Sequence, residues 1–129
     1  MNIIVDTNIL IAVAFDEPEK QHIIDLTIDA TLIAPEILFY EAGNALSAMI
    51  KRRQVSSDEA IQAFDIIQTI PIRLVRVDIP TSLGLALEHN IYAYDAYFLQ
   101  SARQLSCPLL SLDKRMNQVA ESIGIKLLE

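Results

Sequence analysis

Three glycines in the whole chain, at positions 43, 84 and 124, leave no glycine-rich loop to cradle a phosphate, which removes P-loop and dinucleotide-binding functions. Cysteine is scarcer still. Cys107 stands alone, so an internal disulfide and a thiolate metal cluster are both excluded, and its apolar neighbours read as a buried small side chain. With only His22 and His89, paired-histidine catalysis has little support. No apolar run approaches the roughly 18 residues that a bilayer requires. The stretch "ILIAVAF" lacks the basic leader and cleavage site of a signal peptide, so the expectation is a cytoplasmic protein with no membrane segment. Linkers, repeats and low-complexity tracts are also missing. There is no basic excess either: the net charge is −7, whereas phosphate binding usually leaves a basic footprint. That objection depends on where the acids lie. If four of the 17 Asp and Glu surround a bound cation, 13 remain against 10 Lys and Arg, a balance of −3.

What the chain does have is apolar surface. Its 129 residues are enough for one domain with a real core, residues 1–129 being read as a single unit. A hydrophobic content of 52% and a mean hydropathy of +0.32 are high for a small soluble monomer. Part of that surface is expected to be covered by a partner, most simply a second copy in a homodimer.

Strand-like and helix-like patterns alternate with short connections. "NIIVD", "TLIA", "IRLVRV", "PLLSL" and "IKLL" are strand candidates. Helical patterns lie near residues 8–15, 18–29, 36–52, 57–69, 81–90, 94–106 and 114–123. Pro18 and Pro35 suit first-turn positions, Ser56 with Glu59 forms a capping box, and Gly124 can end the last helix. Such alternation implies an α/β fold with a parallel sheet flanked by helices.

Four acids stand out against this frame. Asp6 interrupts the apolar opening "MNIIVDTNILIAVAF" at the end of the first strand, where a carboxylate can cap the next helix or serve chemistry at the sheet's carboxyl edge. Asp113 ends the fourth strand in the same way. In "PEILFYEAGNALSAMI" the apolar face runs through Leu38, Ala42, Ala45, Leu46 and Met49, and Glu41 falls inside it, where capping is no explanation. Asp95 shares a face with Phe98, Leu99 and Ala102, although its place in the first helical turn leaves a dipole role open. A carboxylate on a core-facing stripe must be paired, protonated or bound to metal. No Lys or Arg lies close in sequence to Glu41 or Asp95. Four such groups in one pocket would raise one another's pKa values, a conflict that a hard divalent cation removes, and oxygen-only ligands favour Mg2+ or Mn2+ over zinc.

These blocks carry a resemblance. "VDTNILI", "PEILFYEAGNAL", "YAYDAYFLQSARQL" and "LLSLDKRM", in this order and over essentially the whole length, resemble the PIN-domain ribonucleases, specifically the VapC-type toxins of toxin–antitoxin pairs. The resemblance implies a PIN-like three-layer fold with a five-stranded parallel sheet in the order 3-2-1-4-5, which would set Asp6 beside Asp113. It implies a metal-dependent endoribonuclease in which Asp6 and Asp95 chiefly hold one or two Mg2+ ions while Glu41 and Asp113 complete the shell directly or through water. It also implies a cognate antitoxin whose tail lays apolar side chains in a groove and directs an arginine or lysine at the four acids. Where the family often has threonine two residues before the last acid, this chain has Ser111, which keeps the hydroxyl. Asn8, Asn44 and Ser111 are candidate groups behind the acids.

Basic residues are assigned by their helix ends. Lys51, Arg52 and Arg53 close a helix, where the dipole accounts for them, but Lys114 and Arg115 open one beside Asp113 and are candidates for holding RNA phosphates. Tyr92, Tyr94 and Tyr97 are assigned to core or interface ahead of base stacking, and Asp78 to a turn or cap. Two other readings stand beside the nuclease. One is a phosphoacceptor receiver domain using Asp78, Ser111 and Lys126, which leaves Glu41 unexplained; the other is a PIN fold kept as an inactive binding scaffold, against which the intact acidic set counts.

Overall fold

The computed structural model describes residues 1–129. The chain runs β1 (Asn2–Val5), α1 (Thr7–Ala14), α2 (Lys20–Thr27), β2 (Thr31–Pro35), α3 (Leu38–Lys51), α4 (Ser57–Thr69), β3 (Arg73–Val75), α5 (Ile79–His89), α6 (Ala93–Leu105), β4 (Leu109–Leu110) and α7 (Lys114–Ser122). The strands form one parallel sheet in the order β3-β2-β1-β4, with Ile4 opposite Leu109 and Val5 opposite Leu110 across the β1–β4 pair. Ile3, Ile4 and Val5 are all 0% exposed. Successive strand residues face opposite ways, so β1 is covered on both faces, as a central strand of a helix-flanked parallel sheet must be. α6 packs on β1 and β2, α1 on α3 and α4, and α5 on α6.

The expected order of strands is found, but the fifth is reduced to a single parallel bridge between Leu109 and Leu127. The reason lies in β4, which offers only two residues to pair. Pro108, just before it, has no N–H to give, and the carbonyl of Ser111, just after it, accepts from the Asn117 amide at 3.0 Å in place of a strand neighbour. No helix is long and apolar enough to cross a membrane.

The local signals are realised with two exceptions. Ser56 and Glu59 form the capping box of α4, Asp78 caps α5, and Cys107 is buried. Pro18 instead lies in a turn ahead of α2, and Pro35 is the last residue of β2, with α3 starting three residues later. Both prolines interrupt the chain before a helix without entering its first turn. The α3 start at Leu38 therefore puts Glu41 in that helix's first turn, nearer its positive end than the sequence pattern implied.

Gly124 follows α7 at φ +82°, a left-handed position that L side chains reach only with strain. Gly84 lies inside α5, and neither glycine has an atom within 4 Å of where a Cβ would stand. One substitution should therefore have opposite signs at the two sites. Gly124→Ala should destabilise by ~1 kcal/mol through backbone strain, and Gly84→Ala should stabilise by ~0.5–1 kcal/mol through helix propensity, both read from denaturant midpoints.

Candidate active site

Asp6 leaves β1 and caps α1 with one oxygen, Oδ1 accepting from the Thr7 N–H at 2.7 Å. That capping reading accounts for half the carboxylate. Oδ2 accepts from the Ser111 hydroxyl at 2.7 Å and from the Asn8 amide at 3.1 Å. Pairing of β1 with β4 brings Ser111 there across 105 residues of sequence. Its hydroxyl oxygen also accepts from the Asp113 N–H at 3.0 Å, so a single side chain links the first acid to the last. Asn8 secures the same junction from the other strand end, its Oδ1 accepting from the Leu112 N–H at 3.1 Å. Asp113 caps α7, Oδ1 accepting from the Met116 N–H at 3.1 Å.

Glu41 and Asp95 lie in the first turns of α3 and α6. With Asp6 and Asp113 they line a single cavity of about 630 Å³, which Asn44 also borders. Each acid thus stands at the N-terminal end of a different helix, where backbone N–H groups present partial positive charge. No lysine, arginine or histidine lines the cavity, and the chain's one ion pair, Lys20 with Asp16, is elsewhere. Burial pushes the Asp6 carboxyl up to about 6; the bonds from Ser111 and Thr7 pull it down, and the charges of Asp95 and Asp113 add to the rise. Burial likewise raises Glu41 to about 7, helped by Asp6 and Asp95. Asp95 is raised by burial and by Asp113. Glu41 Oε2 is buried with no hydrogen-bond partner.

The carboxylates surround the cavity without closing on one point: no three His, Cys, Asp or Glu side chains converge as a ready-made metal cage. This donor set still fits a hard cation that keeps much of its own water. An orphaned carboxylate oxygen, two further raised acids and an absence of side-chain cations call for positive charge, and Mg2+ commonly binds through one or two carboxylates plus water.

Lys114 and Arg115 are exposed and do not line the cavity. Arg115 donates to the His89 carbonyl at 2.8 Å, at the C-terminal end of α5, an interaction that accounts for its charge and that sequence order concealed. Tyr92 and Tyr94 are exposed, so neither belongs to the core, and Tyr94 lines the cavity. Tyr40 also lines it and was overlooked in the sequence, although its place next to Glu41 was a signal. Asp78 is exposed and bonded by the Thr81 N–H and hydroxyl, away from the cavity, and Ser111 serves Asp6; the receiver arrangement is therefore not formed.

A helix-flanked parallel sheet with acids gathered at the carboxyl ends of its central strands defines a class of protein, the open α/β folds with a site at the topological switch point. Within it the chain belongs to the PIN-domain family, whose model matches residues 3–122. The crystal structure of PAE2754 from Pyrobaculum aerophilum is similar at a TM-score of 0.70 and 19% identity, covering 95% of this chain and 86% of that one. VapBC2 from Rickettsia felis, bound to a DNA fragment from its promoter, gives 0.67 and 16%, covering 100% of this chain and 98% of that one. No curated protein matches the sequence.

The raised acids have a consequence for stability. A carboxyl whose pKa is higher folded than unfolded binds more protons in the native state between the two values, so stability falls as pH rises through that window. For Asp6 it spans 3.8 to about 6, and for Glu41 4.5 to about 7. Without divalent cations the protein should melt at a higher temperature at pH 5 than at pH 8. Glu41→Gln should flatten this dependence and add ~1 kcal/mol at pH 8, a figure discounted for partial exposure. Calorimetry across the pH range checks both.

Proposed function

We propose that the chain is a divalent-cation-dependent endoribonuclease of the VapC type, the toxin of a toxin–antitoxin pair acting in the cytoplasm. The observation that carries this is the cavity bordered by Asp6, Glu41, Asp95 and Asp113 with no side-chain cation, together with the unpartnered Glu41 Oε2. Asp6 and Asp95 would be the main ligands of Mg2+, with Mn2+ as substitute, and Glu41 and Asp113 would act directly or through water. When bound, such an ion supplies Lewis acidity, activating water at neutral pH and stabilising charge on the phosphoryl oxygens. The protein's contribution is placement. Thr7, Asn8 and Ser111 fix both oxygens of Asp6, and Ser111 holds the Asp113 backbone beside it. Helix N-termini orient N–H dipoles towards the region where a scissile phosphate would lie. Lys114 and the free donors of Arg115 would hold neighbouring phosphates of the RNA.

Partner surfaces lie close by. An apolar groove of about 460 Å³ between α3 and α4, lined by Phe39, Leu46, Ile50, Ile61 and Phe64 among others, shares Tyr40 and Asn44 with the acidic cavity. An antitoxin tail laid in this groove could direct an arginine or lysine at the acids, in competition with the metal. VapBC2 of Rickettsia felis supports such a partner. For the homodimer, α5 presents Ile79, Leu83 and Leu87 at intervals of four residues, 56%, 49% and 77% exposed. That stripe is suited to an isologous contact.

Asp6→Asn and Asp95→Asn should each abolish Mg2+-dependent cleavage of RNA while circular dichroism stays native, since the amide keeps the shape of the carboxylate without its charge and, at Asp6, one oxygen still accepts from Thr7. Wild-type cleavage by both variants would refute the site. Leu87→Asp should convert a dimer to a monomer in light scattering; a wild type already monomeric at micromolar concentration would refute the dimer.

A further inference from the structure

We infer that Tyr40 and Tyr94 bracket the acidic cavity as stacking platforms for unpaired nucleobases on either side of the scissile phosphate. The inference rests on the nuclease reading and names what its substrate must offer. Tyr40 immediately precedes Glu41 at the start of α3, and Tyr94 immediately precedes Asp95 at the start of α6. Adjacent residues on a helix diverge by about 100°. Each helix therefore sends a carboxylate into the cavity and a ring to its rim. The rings are 82% and 58% exposed, yet both line the cavity. Tyr94 meets Tyr97 edge to face, centroids 5.8 Å apart and planes at 89°, a contact that steadies the ring without a parallel stack.

Electrostatics explains why uncharged platforms are needed. The cavity holds four acids and no side-chain cation, in a chain of net charge −7, so a phosphate backbone approaching it gains nothing from long-range attraction. Stacking on an aromatic face needs no charge and tolerates any base. A duplex keeps its bases stacked on one another, so the platforms favour single-stranded segments and loops. The body of a peptide in the α3–α4 groove would meet Tyr40, which borders that groove, while Tyr94 lies outside it, where only a cation directed at the acids would reach. Tyr94 therefore separates the two kinds of ligand.

The test uses the full chain and a short single-stranded 2′-O-methyl RNA with uncharged methylphosphonate linkages, without divalent cations, so that binding is read apart from cleavage. Tyr40→Ala and Tyr94→Ala should each weaken binding by ~10-fold, and Tyr40→Phe and Tyr94→Phe should restore it. An analogue without bases at the two flanking positions should bind wild type as weakly as the Ala variants bind the intact strand. With cleavable RNA and Mg2+, the Ala variants should raise KM with kcat unchanged. Unaltered binding by Tyr94→Ala, Phe variants as weak as Ala, or equal binding of the base-free analogue would each overturn the inference. Tyrosine-dependent binding without any Mg2+-dependent cleavage by wild type would uphold the platforms and refute the nuclease reading.

Discussion

Burial of carboxylates around one cavity, with their like charges adding to its cost and no lysine or arginine to offset it, is the constraint around which the rest of this protein is arranged. Burial and like charge push Asp6, Glu41 and Asp95 towards their protonated forms, which would be a pure cost to a protein selected for stability alone. The fold softens that cost without cancelling it. Asp6 spends both oxygens on hydrogen bonds, Asp113 uses one as a helix cap, and all four acids lie at helix N-termini. What stays uncompensated is Glu41 Oε2, buried with no hydrogen-bond partner, and on that oxygen the proposed cation site rests.

The parallel sheet is what makes the arrangement possible. β1 is central, and β4 lies beside it although more than one hundred residues separate them, so the loops leaving both strands open at the same edge. Ser111 and Asn8 fasten those loops to each other through Asp6 and Leu112. α3 and α6 then deliver Glu41 and Asp95 from their first turns. β4 ends at Leu110, and the next residue, Ser111, donates its hydroxyl to Asp6 and accepts from the Asn117 amide at its carbonyl.

Charge and apolarity are segregated around this centre. The acids line the cavity, the apolar groove of α3 and α4 opens next to it, and the apolar stripe of α5 faces solvent. A high apolar content in a small chain thus becomes local surfaces of different character, each suited to a different neighbour.

The sequence by itself determined a good deal. Period-2 and period-3.6 apolar patterns marked all seven helices and the central strands, because those periods follow from backbone geometry within a few turns. The anomalous polarity of Asp6, Glu41, Asp95 and Asp113 was visible because each broke a local pattern. Capping of α4 by Ser56 and Glu59, and the left-handed Gly124, were equally local. Tertiary structure decided what depends on distance through space. The convergence of the acids on one cavity, the Ser111 bridge, the engagement of Arg115 by His89, the place of Tyr40 on the rim and the loss of all but one pairing in the fifth strand each join residues that the chain keeps far apart, or turn on where a neighbouring helix begins. Local propensity acts through the backbone over a handful of residues, whereas burial, desolvation and Coulomb forces act between whatever surfaces the fold brings together, and these set the chemistry of the site.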